Sequence, residues 1–334
     1  METAFDEARR DARRAGLIYS SDESEGISRH KRGQGWSFVA PGGAVLSGAE
    51  RERCLRLAIP PAYRDVWICP DPRGHLQATG RDARGRKTYR YHDEWRAFRD
   101  QKKFSDLIRF GEALGEARAR NEKARHGFAP RRTRILAAMF WLLDRHALRI
   151  GHENYAAENG SFGATTLRQH HFLHAEKTLV FPAKSGAERH VTLTDRRARG
   201  LLRRLSDLPG QHLFQYSDDE TGELRPVTSD EVNAYLAGLF GEDVTAKTFR
   251  TWHGSTEAFT AAFGEKRRVD DVLEAASQKL GNTKAVARGS YVHPQIISDL
   301  KEGRFADGSI KRGGPPRNGL TAEESAFMRW LEAL

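Results

Sequence analysis

The sequence predicts an α+β protein with a small, strand-rich N-terminal domain, followed by a mainly helical domain that contains a small sheet. Short apolar segments separated by turn residues fill residues 26–92, whereas helical spacing of apolar residues dominates after Trp95. One long β-like stretch, residues 167–193, interrupts the helical part. Because 334 residues is long for one hydrophobic core, we expect domains at 1–95 and 96–334, the second with an appendage from about 303.

The composition favours a polyanionic partner and a reducing compartment. Lys and Arg number 55 against 45 Asp and Glu, giving a net charge of +10, and the planar guanidinium of arginine suits phosphate. A basic protein with no nucleic-acid role is the alternative. Cys54 and Cys69 are too few for a disulfide framework. Since no apolar run has membrane-spanning length and the first residues lack the order of a signal peptide, we expect a cytoplasmic protein that contacts no membrane.

The N-terminal domain is expected to open with a charged helix at residues 5–16 and to continue as strands. Residues 35–39, 65–69 and 74–79 have strand-like composition and are separated by turn residues. These segments predict a small, mixed domain in which strands predominate.

The most informative part of this domain is the basic segment 80–92, where tyrosines alternate with cations. Period two places Tyr89 and Tyr91 on one strand face, so that rings and cations can meet a DNA duplex together. The alternative is a basic surface hairpin whose tyrosines belong to the core. The candidate DNA-binding residues of the segment are Arg81, Arg84, Arg86, Lys87, Tyr89 and Tyr91.

In the second domain, a strongly apolar helix predicted at residues 129–148 runs directly into Arg149. Arg149 would lie where a core helix ends, although a cation at a helix C-terminus is also an ordinary partner of the helix dipole. Residues 167–193 predict a three-stranded meander with Lys184 in its second turn. Most turn lysines are merely solvated, but a β-turn can project a lysine as the flexible arm that a proton donor to a bound phosphate needs.

Further helices are expected around this meander. Residues 195–208 form a basic helix, and Thr228 with Glu231 forms a capping box that opens the next one. A helix from Thr245 carries Arg250 and His253 together on one flank.

Tyr291 is the candidate nucleophile, although a lone tyrosine is usually a packed or surface residue. Apolar spacing predicts a helix at 269–280, and Gly281 suits a left-handed stop. Thr283 can cap a new short helix that carries Tyr291. The meaning of this tyrosine must therefore come from other residues.

Four elements occur along the chain in the order of a known family. They are Arg149 after a buried helix, Lys184 on a β-turn, residues 247–250 at a helix start, and residues 280–282 followed nine residues later by Tyr291. This arrangement resembles the type IB DNA topoisomerases, specifically the small branch of bacteria and poxviruses. Residues 59–67, 74–82, 85–91 and 159–167, together with Tyr155, extend the resemblance over nearly the whole chain.

The resemblance implies a two-domain clamp around duplex DNA and an enzyme that relaxes supercoils. Tyr291 would form a 3′-phosphotyrosyl bond and release a 5′-hydroxyl, whose reverse attack reseals the strand without ATP. Arg149 and Arg250 would stabilise the charge on the nonbridging oxygens, and Lys184 would protonate the leaving oxygen, with no metal or other cofactor required.

Other positions take their roles from the same resemblance. Tyr155 and Lys247 would join the DNA contacts, and a monomer would suffice. Many relatives carry histidine where this chain has Asn282, and an amide donates a hydrogen bond but supplies no positive charge. We therefore expect Asn282 to make a modest catalytic contribution. Ala183 also stands where a glycine often precedes the turn lysine.

Three other functions compete with this hypothesis. Tyrosine recombinases share the nucleophile, but they usually carry histidine where this chain has Lys247, and their N-terminal domain is helical. A non-catalytic duplex DNA-binding protein would explain the charge but would leave four residues unexplained, which are Arg149, Lys184, Arg250 and Tyr291. A metal-dependent nuclease would need paired carboxylates beside the histidines, which are His170, His171 and His174.

Overall fold

The computed structural model describes residues 4–126, 131–218, 220–241, 244–265 and 268–334. The chain forms two compact units, Met1–Lys103 and Phe104–Leu334. Strands predominate in the first unit and helices in the second, which confirms the predicted α+β class. Residues 129 and 130 of the predicted apolar helix lie outside the described residues.

The first unit is built on a five-stranded antiparallel sheet with strand order β2-β1-β3-β4-β5. Helix α1 (Ala4–Arg14) precedes the sheet, and α2 (Gly48–Arg56) lies between β2 and β3 in the chain. The strands are β1 (Ile27–Arg32), β2 (Gly35–Val39), β3 (Arg64–Ile68), β4 (Leu76–Arg81) and β5 (Lys87–Tyr91). The core beneath them contains Ile27, Phe38, Cys54, Ile68 and Ala78.

Helix α2 is the element of this unit that the sequence does not predict. Cys54 is its only buried residue, so α2 has no apolar stripe from which a helical period can be recognised. The expected helix at residues 5–16 is present as α1.

The second unit is organised around buried helices. Helix α3 (Asp93–His126) carries residues of both units, and α4 (Arg131–His146) follows it. Every residue of α4 from Ile135 to Asp144 is buried, which confirms the predicted core helix. The elements that follow are α5 (Glu153–Asn159), β6 (Phe172–Leu173), β7 (Thr178–Pro182), β8 (Glu188–Thr192) and α6 (Arg196–Ser206).

Strands β6, β7 and β8 form the predicted three-stranded antiparallel meander, with Lys184 between β7 and β8. A two-stranded hairpin of β9 (Gln215–Ser217) and β10 (Leu224–Pro226) comes next. The remaining helices are α7 (Ser229–Phe240), α8 (Ala246–Ala261), α9 (Val269–Leu280), α10 (Lys284–Ser290), α11 (Pro294–Lys301) and α12 (Ala322–Leu331). Helix α7 starts with the expected capping box of Thr228 and Glu231.

The interpretation of residues 303–334 as an appendage is wrong. Phe327 and Met328 of α12 are completely buried in the main core of the second unit. The indole of Trp252 on α8 donates to Glu324 at 3.1 Å, and the indole of Trp330 donates to Asp299 at 2.8 Å. Helix α12 is therefore a structural part of the helical unit.

A buried ionic network joins α12 to α3 and α4. The Arg118 guanidinium donates to both oxygens of Asp144 at 2.8 and 3.0 Å, and to both oxygens of Glu324 at 2.7 Å. Four hydrogen bonds therefore join this cation to charged acceptors, the strongest form of hydrogen bond in proteins, and Nη1 also donates to Gly319 O at 2.8 Å. Across the described ranges, no helix is both long and apolar enough to cross a membrane.

Candidate active site

The C-terminal ends of α4 and α9 supply main-chain carbonyls to a group of arginines. After His146, Ala147 takes a left-handed conformation with φ of 50°. After Leu280, Gly281 does the same with φ of 58°, which confirms the predicted helix stop. Carbonyls in the last turn of a helix have no partner within that helix, so both ends offer free acceptors.

Arg250, on α8, is bonded to both helix ends. Its Nη1 donates to the carbonyl of Ala147 and, at 3.0 Å, to that of Leu280. Its Nε and Nη2 are buried and have no hydrogen-bond partner within the described residues. Because an unpaired buried donor costs about 1–3 kcal/mol, these N–H groups favour an anionic partner.

Arg149 and Arg189 lie beside Arg250. Arg149 donates from Nη1 to Gly281 O at 3.3 Å, and Arg189, on β8, donates to further carbonyls of the same two ends. Burial, followed by the charge of Arg250, lowers the pKa of both Arg149 and Arg189. None of the carboxylates that the structure describes pairs with any of the three, so the negative ends of two helix dipoles compensate their charges in part.

Tyr291 lies at the end of α10 and is fixed through its main chain. Thr283 accepts a hydrogen bond from Val286 N, which confirms the predicted cap of α10. The Ser255 hydroxyl donates to Tyr291 O at 2.8 Å and accepts from His293 N at 3.0 Å. A side chain at Gly254 would approach the Tyr291 Cβ to 3.1 Å, so the glycine allows α8 to pack closely against this tyrosine.

The phenol of Tyr291 lies in a strongly cationic environment. The guanidinium carbon of Arg250 is 4.8 Å from the centre of its ring. Burial raises the pKa of Tyr291, but the guanidinium of Arg250 beside the phenol and the charges of Arg149 and Lys247 outweigh burial, so the net pKa is lowered. The site therefore favours the phenolate, the form of tyrosine that acts as a nucleophile.

Asn282 directly follows the glycine that ends α9. Its side-chain Oδ1 and Nδ2 are both buried and have no hydrogen-bond partner in the part of the chain that the structure describes. Its main-chain N donates to Ser277 O at 3.1 Å. Asn282 thus follows the Gly281 carbonyl to which Arg149 donates, and the hydrogen-bonding capacity of its amide is unused among the described residues.

Lys184 begins a short 3-10 helix, Lys184–Gly186, between β7 and β8. Its side chain is exposed, and its Nζ lies 5.9 Å from the centre of the Tyr155 ring. Among the contacts of the described residues, none joins Lys184 to Tyr291 or to Arg250. The structure thus brings together the segments that carry Arg149, Arg250, Asn282 and Tyr291. Lys184 lies outside this group, on the turn between β7 and β8.

In the first unit, Tyr89 and Tyr91 stand on one exposed face of β5, as the alternation predicted. Their rings are nearly parallel, with centres 6.1 Å apart, and 52% and 36% of the two residues is exposed. Neither tyrosine belongs to the core of the sheet. The pair thus offers an aromatic surface on which a base or a sugar can lie.

Most cations of the basic segment already have carboxylate partners. Arg81, Arg86 and Lys87 lie within 3.6, 2.6 and 2.5 Å of the carboxylates of Asp65, Asp82 and Asp22, respectively. The three cations are 40 to 52% exposed, and solvent weakens such ion pairs, so a phosphate can compete with these carboxylates for the cations. No side-chain partner is recorded for the exposed Arg84 within the described residues.

The comparisons with known proteins agree with this arrangement. Residues 92–289 match the family model described as eukaryotic DNA topoisomerase I, catalytic core. Residues 35–82 match the model described as bacterial DNA topoisomerase IB, N-terminal domain. A curated relative, DNA topoisomerase 1B of Acanthamoeba polyphaga mimivirus, is 28% identical over 286 residues, which cover 80% of this chain and 85% of the relative.

The catalytic-core match covers more than half of the chain and identifies a DNA topoisomerase. With the match of the N-terminal domain, the chain belongs to the type IB DNA topoisomerases. It is an enzyme that acts on double-stranded DNA and relaxes it, which confirms the prediction over the recombinase, nuclease and non-catalytic alternatives.

Proposed function

We propose that this enzyme relaxes supercoiled DNA by cutting and resealing one strand through a 3′-phosphotyrosyl bond to Tyr291. The observation that carries the proposal is the contact of Tyr291 with Arg250, whose charge and whose N–H groups without a partner in the described residues suit a phosphate. The Tyr291 phenolate attacks phosphorus, the bond from phosphorus to the 5′-oxygen breaks, and the 5′-oxygen takes a proton. In the reverse reaction the 5′-hydroxyl attacks phosphorus and the tyrosine leaves, so no ATP is consumed.

Arg149 and Arg250 stabilise the transition state in this proposal. Attack on a phosphodiester concentrates negative charge on the nonbridging oxygens, and fixed guanidiniums bind those oxygens without losing their proton. Asn282 adds one neutral hydrogen bond from its amide. We propose that these residues make a divalent metal unnecessary and that the enzyme needs no cofactor.

Lys184 is the proposed general acid for the 5′-oxygen. Lys184 lies on an exposed turn, so its Nζ can extend away from the main chain toward a bound phosphate. The centre of the Tyr155 ring is 5.9 Å from that Nζ. Replacement with alanine should slow cleavage of ordinary DNA far more than cleavage of DNA with a 5′-bridging sulfur, because a thiolate leaves without protonation. Equal slowing on the two substrates would remove this role.

Tyr89, Tyr91 and the cations of β5 are proposed DNA contacts, with Arg84 the most available cation. A phosphate contact contributes to the salt dependence of binding, so Arg84→Ala should reduce the slope of log affinity against log salt concentration by about 1. An unchanged slope would exclude Arg84 as a phosphate contact. We also propose a monomer that clamps duplex DNA between domains 1–95 and 96–334 and acts on the nucleoid in the cytoplasm.

The decisive experiment is relaxation of a supercoiled plasmid in excess EDTA without ATP, together with detection of the covalent DNA adduct. Wild-type enzyme should relax the plasmid and form the adduct, whereas Tyr291→Phe should do neither and should still bind DNA. Tyr235→Phe is a matched control, because Tyr235 is also partly buried in the second unit and its hydroxyl bonds Asn121. An adduct that persists in Tyr291→Phe would place the nucleophile elsewhere.

A further inference from the structure

Arg189 has an unusual set of partners: three main-chain carbonyls from two helix ends. Its Nη1 donates to Gln278 O at 3.1 Å, and its Nη2 donates to Lys279 O at 2.7 Å and to His146 O at 3.2 Å. One guanidinium thus joins the last turn of α9 to the last residue of α4. These are the helix ends after which Asn282 and Arg149 follow in the chain.

The bonds of Arg189 differ from those of Arg250. Both terminal nitrogens of Arg189 donate to the protein's own main chain, whereas Arg250 keeps buried N–H groups without a partner in the described residues. A side chain at Gly281 would come within 2.6 Å of Arg189 Nη1, so this glycine leaves the space that Arg189 occupies. Arg189 is therefore built into the helix ends and does not present its nitrogens to a phosphate.

Arg189 also belongs to the hairpin that carries Lys184. It lies on β8 opposite Phe181 of β7, close to the turn at Lys184–Gly186. The other strand of the hairpin has a bond of its own, from Phe162 N to Pro182 O at 2.8 Å. Ala164, two residues after Phe162, donates its N–H to Arg149 O at 2.8 Å. Both strands of the hairpin are thus connected to the segments that position the catalytic arginines.

We infer that Arg189 is a positioning residue that holds the Lys184 turn at a fixed place relative to the helix ends carrying Arg149 and Asn282. The side chain of Lys184 is exposed, so its reach to a bound phosphate depends on where the base of the turn is held. The inference rests on the proposed role of Lys184 as general acid. Since a misplacement of about 1 Å can cost roughly 10²-fold in rate, loss of this connection should be visible in the protonation step.

The test compares single-turnover cleavage of two DNA substrates, one with a 5′-bridging oxygen and one with a 5′-bridging sulfur. Arg189→Ala should cleave the oxygen substrate about 10- to 100-fold more slowly than wild type and the sulfur substrate at nearly the wild-type rate. Arg189→Lys keeps the charge but cannot span both helix ends, so it should show the same selectivity to a smaller degree. If Arg189→Ala fails to fold, Arg189→Lys still allows cleavage of the oxygen and sulfur substrates to be compared.

Arg125→Ala is the matched control. Arg125 and Arg189 are both partly buried, but Arg125 pairs with the carboxylates of Glu122 and Asp195. Its loss should affect stability and change both cleavage rates by the same factor. If Arg189→Ala slows the cleavage of both substrates equally while the sulfur substrate still rescues Lys184→Ala, the inference about Arg189 is wrong and the general-acid role of Lys184 stands. Absence of sulfur rescue in Lys184→Ala would overturn the general-acid role, and the inference with it.

Discussion

Arg118 and Arg250 are two largely buried arginines of the same helical unit, and their partners differ. Arg118 bonds two carboxylates, those of Asp144 and Glu324, whereas the partners of Arg250 in the described part of the chain are main-chain carbonyls. Burial lowers the pKa of Arg118, but the bonds and charges of Glu324 and Asp144 outweigh it and raise the pKa. The charge of Arg118 is used to hold the fold together.

Arg250 retains a charge that the protein does not neutralise. Two carbonyl dipoles orient its guanidinium, and its remaining buried N–H groups have no partner among the described residues. Folding tolerates this arrangement because the negative ends of the helix dipoles compensate part of the charge of Arg250. The remaining charge is available to a bound anion. Burial alone therefore does not tell a structural arginine from one that can bind an anion. The partners do: carboxylates neutralise a structural cation, whereas main-chain carbonyls leave most of the charge available.

The largest expected effect is on stability, from Arg118→Ala. This change leaves Asp144 and Glu324 buried without their cation, and breaking a buried pair in this way costs about 3–5 kcal/mol. The free energy of unfolding, measured with urea, should fall by that amount. Adding Asp144→Asn and Glu324→Gln should recover part of the loss. A loss below about 1 kcal/mol would mean that Arg118 is not the structural cation of the comparison.

The second effect is on catalysis, from Arg250→Ala. Removing one group that stabilises transition-state charge costs about 10²- to 10³-fold in rate, and no buried carboxylate is left unpaired. The rate of covalent adduct formation should fall by that factor, with a smaller loss of stability than in Arg118→Ala. Arg132→Ala is the control, because Arg132 is half exposed on α4 and pairs with Glu231. A larger effect on stability than on rate would reverse the assignment of Arg250.

The third effect is a pH dependence of stability. Burial raises the pKa values of Asp144 and Glu324, but the neighbouring His253 and Arg118 lower that of Asp144, and Arg118, with a hydrogen bond from Trp252, lowers that of Glu324, so both fall below their ordinary values. A lowered pKa means that the stabilisation is complete above about pH 5 and is lost progressively as the pH falls from about 4 toward the lower pKa values of the folded protein. Wild type should therefore lose on the order of 2 kcal/mol between pH 6 and pH 3.

Replacement of Arg118 with methionine should reverse the sign of this pH dependence. Burial would then act on the two carboxyl groups without the cation, so their pKa values would rise above the ordinary range. Arg118→Met should become more stable as the pH falls from 7 to 5, where wild type changes little. Parallel pH profiles for the two proteins would show that Arg118 does not control these carboxyl groups.

The smallest effect is expected for Asn282→Ala. A neutral amide contributes one hydrogen bond, worth about 0.5–1.5 kcal/mol, so adduct formation should slow by about tenfold at most. Asn282→Asp, which places a negative charge beside the arginines, should slow it further. If Asn282→Ala is as slow as Arg250→Ala, the neutral amide is as important as a guanidinium and the expectation of a modest role is wrong.

The parts of this fold that the sequence predicts are those set by nearby residues. Gly281 ends a helix because it reaches a left-handed conformation at little cost, and Thr283 caps the next helix three residues from its partner. The alternation of Tyr89 and Tyr91 likewise determines their common face. A resemblance to relatives then assigned the candidate site residues, which local physics alone does not assign.

The features that the sequence does not predict depend on distant partners. Arg189 bonds carbonyls that lie 43 to 90 residues away, and a main-chain carbonyl has no residue-specific signature in a sequence. Asp22 and Asp65, the partners of Lys87 and Arg81, are equally invisible to a reading of the basic segment alone. The burial of α12 follows the same rule, because its contact with Trp252 joins residues 72 positions apart.

The place of α12 has a consequence for how the enzyme is made. All five candidate catalytic residues lie between positions 149 and 291, and a ribosome synthesises them before it reaches Phe327 and Glu324. Until α12 is present, the core lacks Phe327 and Arg118 lacks one of its two carboxylates. A growing chain therefore holds the candidate catalytic residues in an incomplete core until α12 has been synthesised, so the stability of the helical unit depends on a helix that follows all five residues in the chain.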